Sequence, residues 1–245
     1  APDQHTVFDS KATDNFRYSA ALLYGFNHGH FDVQFGLTRA YRNPDMNELY
    51  IKRMSVGFDS YDYLGNPNLE PELNHQIDLG FKFSFCEKSQ LSLNLFASQI
   101  QNYIGTVFLP PSIITPASMG SPGVKQFENM DKAYFYGAEL VFSTEIKNLG
   151  LQFSTGYTYA FLENATHLIL TNGQVTGKEI IKNDPIPEMP PLVVQSGIYY
   201  KLPKLNLLPT AELRYVCKQE SVSFANNELE SPEVFLMDIT IKYFY

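Results

Sequence analysis

Residues 65–72 read Gly-Asn-Pro-Asn-Leu-Glu-Pro-Glu, and an uninterrupted alternating stretch follows at residues 76–85. The glycine and the two prolines predict a loop, because proline lacks a backbone N–H and continues neither a helix nor a central strand. In the second stretch, apolar residues beginning with Ile77 alternate with polar or small residues beginning with Asp78. This alternation predicts a strand with one apolar and one polar face. Such strands are typical of a membrane barrel, whose apolar face contacts lipid and whose polar face lines a lumen.

The same alternation recurs about nine times along the chain. One segment is imperfect, because Ser196 falls on its apolar face and Val193 on its polar face. The predicted strands are residues 14–26, 31–41, 74–86, 90–105, 133–147, 150–163, 190–202, 206–218 and 232–245.

The connections between these strands alternate between short turns and long loops. Residues 27–30 and 87–89 are short connections, whereas 42–73, 106–132 and 164–189 are long ones. Outer-membrane barrels have short periplasmic turns and long extracellular loops. We therefore predict an all-β fold, an antiparallel up-and-down transmembrane β-barrel of which this chain supplies about nine strands. The alternative is a soluble antiparallel sandwich or propeller, which the loop asymmetry and the strand lengths disfavour.

The net charge and the motifs of the sequence argue against several classes of function. The 245 residues carry a net charge of −8, which disfavours a nucleic-acid partner because phosphate binding requires a basic patch. We expect no enzyme activity and no cofactor, since the sequence contains no nucleophile elbow, P-loop or dinucleotide fingerprint. No metal site is predicted either, and His28 and His30 are interpreted as a hairpin turn. Cys86 and Cys217 are expected at opposite rims of the wall, as free thiols.

Four segments, in chain order, resemble the C-terminal part of the barrel of TonB-dependent outer-membrane receptors. Each segment alone is a weak signal, but together they cover residues 41 to about 192. They are Arg42-Asn43-Pro44 with Asn47-Glu48-Leu49-Tyr50, Gly65 to Glu72, Asn129-Met130-Asp131-Lys132-Ala133 with Tyr136-Gly137-Ala138-Glu139-Leu140, and Pro185-Ile186-Pro187 with Pro190-Pro191.

The resemblance implies an outer-membrane receptor for TonB-dependent uptake of a scarce small-molecule nutrient, such as a siderophore or other metal chelate, cobalamin or a glycan. It also implies that TonB acts through a plug domain, which we do not find in this chain. Residues 1–245 are accordingly expected to be a partial barrel domain in the lipid bilayer of the bacterial outer membrane, without the plug, the early strands and the last few strands. A passive outer-membrane pore and a soluble β-rich glycan-binding module remain open as alternatives.

Two groups of residues are predicted to have a functional role. The first group lies in the long loop 42–73 and would offer thioether and aromatic side chains to a ligand. The open alternative is that these loop residues have no ligand role. In the lumen, Gly137 and Glu139 are predicted to face the plug, with packing favoured over ligand contact for Glu139. The predicted ligand-binding residues of the extracellular loop are Arg42, Met46, Tyr50, Met54 and Tyr61.

Overall fold

The computed structural model describes residues 17–55 and 59–244. Residues 14–16 of the first predicted strand lie outside this range. The one α-helix of the described chain is the short α1, Met46–Tyr50, and a 3-10 turn occupies Pro203–Leu205. No helix among the described residues is long and apolar enough to cross a membrane.

Fourteen strands are present in the described residues. In chain order they are β1 Ala20–His28, β2 Phe31–Arg42, β3 Lys52–Ser55, β4 Asp62–Leu64, β5 Glu72–Cys86, β6 Ser89–Gln101, β7 Ile104–Leu109, β8 Val124–Asn129, β9 Lys132–Ile146, β10 Leu149–Thr171, β11 Gln174–Pro185, β12 Val193–Tyr200, β13 Leu207–Val216 and β14 Val234–Tyr243.

Nine of these strands form one antiparallel wall in the order β1-β2-β5-β6-β9-β10-β12-β13-β14. Apart from β11, which pairs only with the loop end of β10, and the short loop strands β3, β4, β7 and β8, consecutive strands are neighbours in the wall, so the topology is up-and-down, as predicted. In the described residues β1 and β14 are the two edges and do not pair with each other, so the wall is an open part of a barrel. The two thiols are free, with Cys86 at a turn end of the wall and Cys217 at a loop end, as expected.

Several strand boundaries differ from the prediction: the first strand, for example, runs from Ala20 to His28 rather than over 14–26. Two of the differences have clear physical reasons. The predicted strand 90–105 ends at Gln101, because Asn102 has a positive φ of 53° and turns the chain out of the wall. The predicted strand 190–202 begins only at Val193, because Pro190 and Pro191 have no N–H to donate to a ladder.

The cross-strand register assigns one face of the wall to apolar side chains and the other to polar or small ones. Adjacent strands align their apolar residues in continuous rows, and the row beside each is polar. One apolar row is Tyr24, Phe35, Leu79, Leu95, Ala138 and Tyr157. The neighbouring row is Gly25, Gln34, Gly80, Asn94, Glu139 and Gly156.

The apolar face is exposed, which separates a membrane wall from a soluble sandwich. Leu22 and Ile239 are 60% and 70% exposed on this face, whereas a sandwich would bury them against a second sheet. Aromatic side chains form a girdle near each end of the apolar band. Phe31 stacks on Phe83 at the turn end, with ring centroids 4.4 Å apart, and Tyr134 stacks on Phe161 at the loop end at 5.2 Å.

The long loops contain regular structure of their own. Strands β3, β4, β8 and β7 form a four-stranded sheet from the first two long loops, which we call the loop sheet. The predicted loop 164–189 is largely a hairpin, because β10 continues to Thr171 and returns as β11. Asn172 and Gly173 both have positive φ, as a two-residue type I′ turn requires.

A small buried core lies at the loop end of the wall, under the connection between β13 and β14. It contains Ala133, Ala160, Leu162, Ala165, Ile186 and Ala225. Asp184 holds this connection down: it is buried and accepts hydrogen bonds from the Ser223 hydroxyl at 2.6 Å and the Phe224 N–H at 2.9 Å.

Candidate functional site: the extracellular rim and the lumen

The first part of the site is α1, which begins where β2 leaves the wall. Asp45 caps the helix by accepting from the N–H groups of Asn47 and Glu48, at 2.7 and 2.8 Å. Glu48 reciprocates by accepting from the Asp45 N–H at 2.7 Å, which completes a capping box. Because a five-residue helix is too short to be stable alone, its position depends on its contacts with the rim.

Arg42 supplies the main contact between this helix and the wall. Its guanidinium donates to Glu48 at 3.0 Å and to Glu72 at 2.6 Å, where Glu72 is the first residue of β5. Glu72 is buried and also accepts from the N–H of Ile104, which begins β7, at 2.8 Å. The predicted ligand residue Arg42 is therefore engaged by two carboxylates that join β2, α1, β5 and β7.

Gly65 brings the second recognised segment against α1. Its N–H donates to the Ile51 carbonyl at 2.7 Å, and the neighbouring Asn66 N–H donates to the Glu48 carbonyl at 2.8 Å. A Cβ at position 65 would lie 2.6 Å from the backbone of Leu49 and Tyr50, so no larger residue fits without moving the helix.

The third and fourth segments join the same rim. The Asn129 side chain accepts from the Glu70 N–H at 2.7 Å and donates to the carbonyls of Glu70 and Asn102 at 2.8 and 2.9 Å. The Ile186 N–H donates to the Ala160 carbonyl at 3.0 Å, and its side chain enters the small core. The segments that look most distinctive in the sequence thus attach the long loops to the wall.

The loop sheet carries a polar and aromatic cluster around Lys125 on β8. The Lys125 ammonium donates to Asp59 at 2.5 Å and lies 4.5 Å from the ring centroid of Tyr61. Tyr61 also packs edge-on against Phe108 at 5.7 Å, while the Tyr63 hydroxyl donates to Asp59 at 3.0 Å. Burial by itself raises the pKa of Asp59, but the hydrogen bonds from Lys125, the Tyr61 N–H and Tyr63 lower it below its usual value.

The other predicted loop residues lie near this cluster in sequence but differ in exposure. Met46 on α1 and Met54 on β3 are 72% and 61% exposed, so their thioethers are accessible. The side chain of Tyr50, the last residue of α1, is 37% exposed. The structure therefore brings Met46, Tyr50 and Met54 onto one helix and its following strand, and Tyr61 onto the adjacent loop-sheet cluster.

In the lumen, Gly137 and Glu139 lie on the polar face of β9, as the alternation predicted. A Cβ at Gly137 would meet the Phe96 ring and the Tyr157 carbonyl, each at 2.6 Å. Glycine is therefore required at this position for the Phe96 ring to pack against the backbone of β9. Glu139 is exposed and lines a lumenal groove of about 610 Å³ with Gln34, Asp78 and Asn94.

A second lumenal groove, of about 570 Å³, was not predicted as a site. Gln152, Glu212 and Asp238 share one row of the wall, and Arg214 lies two residues beyond Glu212 on β13, in the next polar row toward the loops. The signal was present, since these residues occupy the polar positions of their alternating strands. No group of three or more acidic, histidine or cysteine residues suited to a metal ion occurs in the described part of the chain.

The model of the TonB dependent receptor-like beta-barrel family matches residues 2–244, essentially the whole chain. The chain belongs to this family. The receptor barrel is therefore part of a protein of the bacterial outer membrane, with its turns periplasmic and its long loops extracellular. The family consists of receptors and transporters rather than enzymes.

Individual relatives are distant and longer than this chain. The receptor barrel is 24% identical over 216 residues to an iron-regulated outer membrane virulence protein of Vibrio cholerae serotype O1, with 86% of this chain and 30% of that protein covered. Among solved structures, it matches the copper transporter OprC with a TM-score of 0.68 at 19% identity, over 92% of this chain and 31% of that one.

The siderophore receptor PirA from Pseudomonas aeruginosa matches with a TM-score of 0.61 at 15% identity, over 94% of this chain and 36% of that one. At these identities the structural matches establish the fold. The receptor barrel spans about a third of the length of these relatives.

Proposed function

We propose that residues 1–245 are part of the barrel domain of a receptor that imports a scarce nutrient through the outer membrane, with energy delivered by TonB through a plug domain. The metal chelates, siderophores included, are the favoured substrate class. Support comes from the family and from relatives described as a siderophore receptor, a copper transporter and an iron-regulated protein. Cobalamin and glycans remain further candidates.

The observation that carries this proposal is the construction of the extracellular rim. Four segments from three long loops converge on it through Arg42, Gly65, Asn129 and Ile186. A rim that holds long loops in a fixed arrangement is suited to recognition of a specific ligand, because less ordering is required when the ligand binds. A passive pore does not require such an arrangement.

Within this rim, we assign ligand contact to Met46, Tyr50, Met54 and Tyr61. The exposed thioethers of Met46 and Met54, together with the rings of Tyr50 and Tyr61, suit a chelate with soft or aromatic groups. Arg42 remains a candidate. Its two carboxylate partners favour an indirect role, in which Arg42 holds α1 in place and thereby positions Met46.

In the lumen, Gly137 and Glu139 are proposed to face the plug. The Glu139 carboxylate is exposed and available to a donor on the plug, whereas the space beside Gly137 is filled by the Phe96 ring, so Gly137 would act by shaping the wall there. The alternative function is a passive outer-membrane pore, in which neither residue would affect transport of a specific nutrient.

Growth of a strain that lacks the full-length gene, on one iron, cobalamin or glycan source at a time, tests the proposal. We expect failure on a single source and rescue by the intact gene. The double variant Met46→Ala/Met54→Ala should need about tenfold more of that source. The matched control is Met119→Ala, because Met119 is a fully exposed loop methionine outside the proposed surface.

Normal growth of the deletion strain on every source would contradict the import proposal. Full rescue by the double methionine variant at limiting concentrations would contradict the assignment of ligand contact to α1 and β3, and would leave import itself intact.

A further inference from the structure

The charged side chains of the second lumenal groove have no charged partner. They are Glu212 and Arg214 on β13 and Asp238 on β14. None of the three forms an ion pair within residues 17–55 and 59–244. Glu212 and Asp238 are direct cross-strand neighbours, an arrangement in which like charges repel. We therefore expect water or a bound polar group to solvate these carboxylates.

Polar side chains elsewhere on the lumenal face are paired with one another. On β5, for example, the Gln76 amide donates to the Asp78 carboxylate at 2.7 Å. The polar side chains of the second groove form one weaker contact among themselves in the described chain, a 3.4 Å hydrogen bond from Ser154 to Gln195. The polar groups of this groove are thus available to an occupant.

Gly197 on β12 gives the groove its depth. It pairs with Gln152 of β10 on one side and with Glu212 of β13 on the other, so a residue without a side chain separates two long polar ones. A Cβ added there would lie 3.8 Å from both neighbours, which is an ordinary contact distance. The resulting groove of about 570 Å³ has the size of a small-molecule site.

The groove is bounded by apolar residues toward the loops and by polar residues toward the turns. The apolar row consists of Val193, Val216 and Val234. The row on the turn side carries hydroxyl groups and consists of Tyr199, Thr210 and Thr240. At the turn rim itself, Tyr199 and Lys201 both donate to Glu145, at 2.8 and 2.5 Å. A polar surface therefore continues from the groove to the periplasmic turns.

We propose that the second lumenal groove is a transit site, which the imported nutrient occupies after it leaves the extracellular rim and before it enters the periplasm. The inference rests on the import function proposed above. The groove fits a hydrophilic chelate with an ionised oxygen for Arg214 and with hydroxyl or amide groups for Gln152 and Gln195. Polar contacts on a hydrated wall are weak, and passage requires weak binding because the nutrient has to leave again.

The plug domain is the competing occupant, and thiol labelling separates the two. Gly197→Cys is made in the full-length receptor after its other cysteines, Cys86 and Cys217 included, have been replaced by serine. The probe is the anionic reagent sulfonatoethyl methanethiosulfonate, applied to cells with and without a functional TonB. We expect Gly197→Cys to be labelled faster when TonB is functional, because the path then opens. Ser98→Cys is the control and should stay unlabelled, because Ser98 is buried in the lumenal wall.

Uptake of the nutrient identified by the growth test shows whether the groove is used. Gly197→Leu fills the groove and is expected to lose most of its uptake, while nutrient still binds to the cell surface with the wild-type affinity. Arg214→Gln should lower the uptake rate about tenfold. The matched control is Ala211→Leu, which adds similar bulk on β13 but toward the lipid, in the row of Ile198 and Ile239, and should import normally.

Absence of labelling at Gly197→Cys in both strains would assign the groove to the plug and overturn the proposal, and equal labelling rates in the two strains would overturn it as well. Normal uptake by the Gly197→Leu receptor would also contradict a transit site, as would an equal loss of surface affinity. These results are distinct from a failure of the import proposal, which would appear as normal growth of the deletion strain before any groove variant is made.

Discussion

At the residue scale, Glu72 joins three elements of the rim through one side chain. It pairs with Arg42, accepts from the Ile104 N–H and is almost fully buried, although it begins a strand of the wall. Three elements therefore depend on one carboxylate. Burial of a charge is tolerated only where partners compensate it, and both oxygens of Glu72 have a partner.

Glu72→Gln is expected to lower the free energy of local opening at the rim by about 2 kcal/mol, because the amide replaces a charged acceptor and leaves one buried contact unmade. Hydrogen exchange at the Ile104 and Asn66 amides of the full-length receptor measures this effect. Glu230→Gln serves as the control, since Glu230 forms an exposed pair with Lys218 and should change stability by less than about 0.5 kcal/mol. Equal effects of the two substitutions would contradict the role given to Glu72.

Asp59 gives the loop sheet a defined dependence on pH. Its pKa is lower in the folded loop than in an unfolded chain, so its contribution is fully present at neutral pH and is lost as the pH falls through the folded pKa. Hydrogen exchange of β4 and β8, corrected for intrinsic rates, should therefore be constant from pH 7 to pH 5 and should increase below about pH 4. Asp59→Asn should reduce that increase and leave the part due to Asp62 of β4, whose buried carboxylate accepts from the Ala117 and Ser118 N–H groups. A loss of protection between pH 7 and pH 5 would assign the transition to another group.

At the scale of elements, the hairpin β10–β11 projects beyond the wall and depends on its turn. Gly173 has φ +77°, and no atom lies within 4 Å of a Cβ added there, so strain rather than a clash penalises a side chain. Gly173→Val is expected to destabilise the hairpin by about 1–2 kcal/mol. Exchange of the Thr166 and Ile180 amides measures this change. Gly177→Val is the control, because position 177 has ordinary backbone geometry and contacts, and an equal loss there would contradict the turn argument.

The hairpin also illustrates what the sequence could and could not predict about elements. The wall strands were predictable because each alternates with period two, and even the imperfect positions Ser196 and Val193 lie on the faces expected. Asn172-Gly173 is a strong two-residue turn signal, so this hairpin was predictable even though the surrounding segment is interpreted as a loop from the sequence. The exit of the chain at Asn102 was not predictable from alternation, because a single left-handed residue causes it.

The candidate site was less predictable than the wall. Its residues were identified individually, but the contacts that organise them join distant positions such as Glu72 with Ile104, and Glu70 with Asn129. A local pattern carries no information about such pairs. The pairing of Arg42 with two carboxylates therefore emerges only in the folded chain.

At the scale of the whole molecule, a charged side chain introduced on the lipid face of the wall should lower the unfolding free energy more than one introduced on the lumenal face. Leu95 lies mid-strand on the lipid face of β6, and its neighbour Asn94 faces the lumen. Leu95→Arg is expected to cost about 2–4 kcal/mol of unfolding free energy, whereas Asn94→Arg should cost less than about 1 kcal/mol. Denaturant unfolding of the full-length receptor in lipid vesicles measures both. Similar costs for the two variants would contradict the assignment of faces.

The proposed active import of a nutrient is tested most directly by energy-dependent uptake. Once growth has identified the nutrient, its radiolabelled form is given to cells that carry the full-length receptor, with and without a functional TonB. We expect saturable accumulation with TonB, and binding to the cell surface without accumulation when TonB is absent. Accumulation at the same rate in both strains would identify a passive pore and contradict active import.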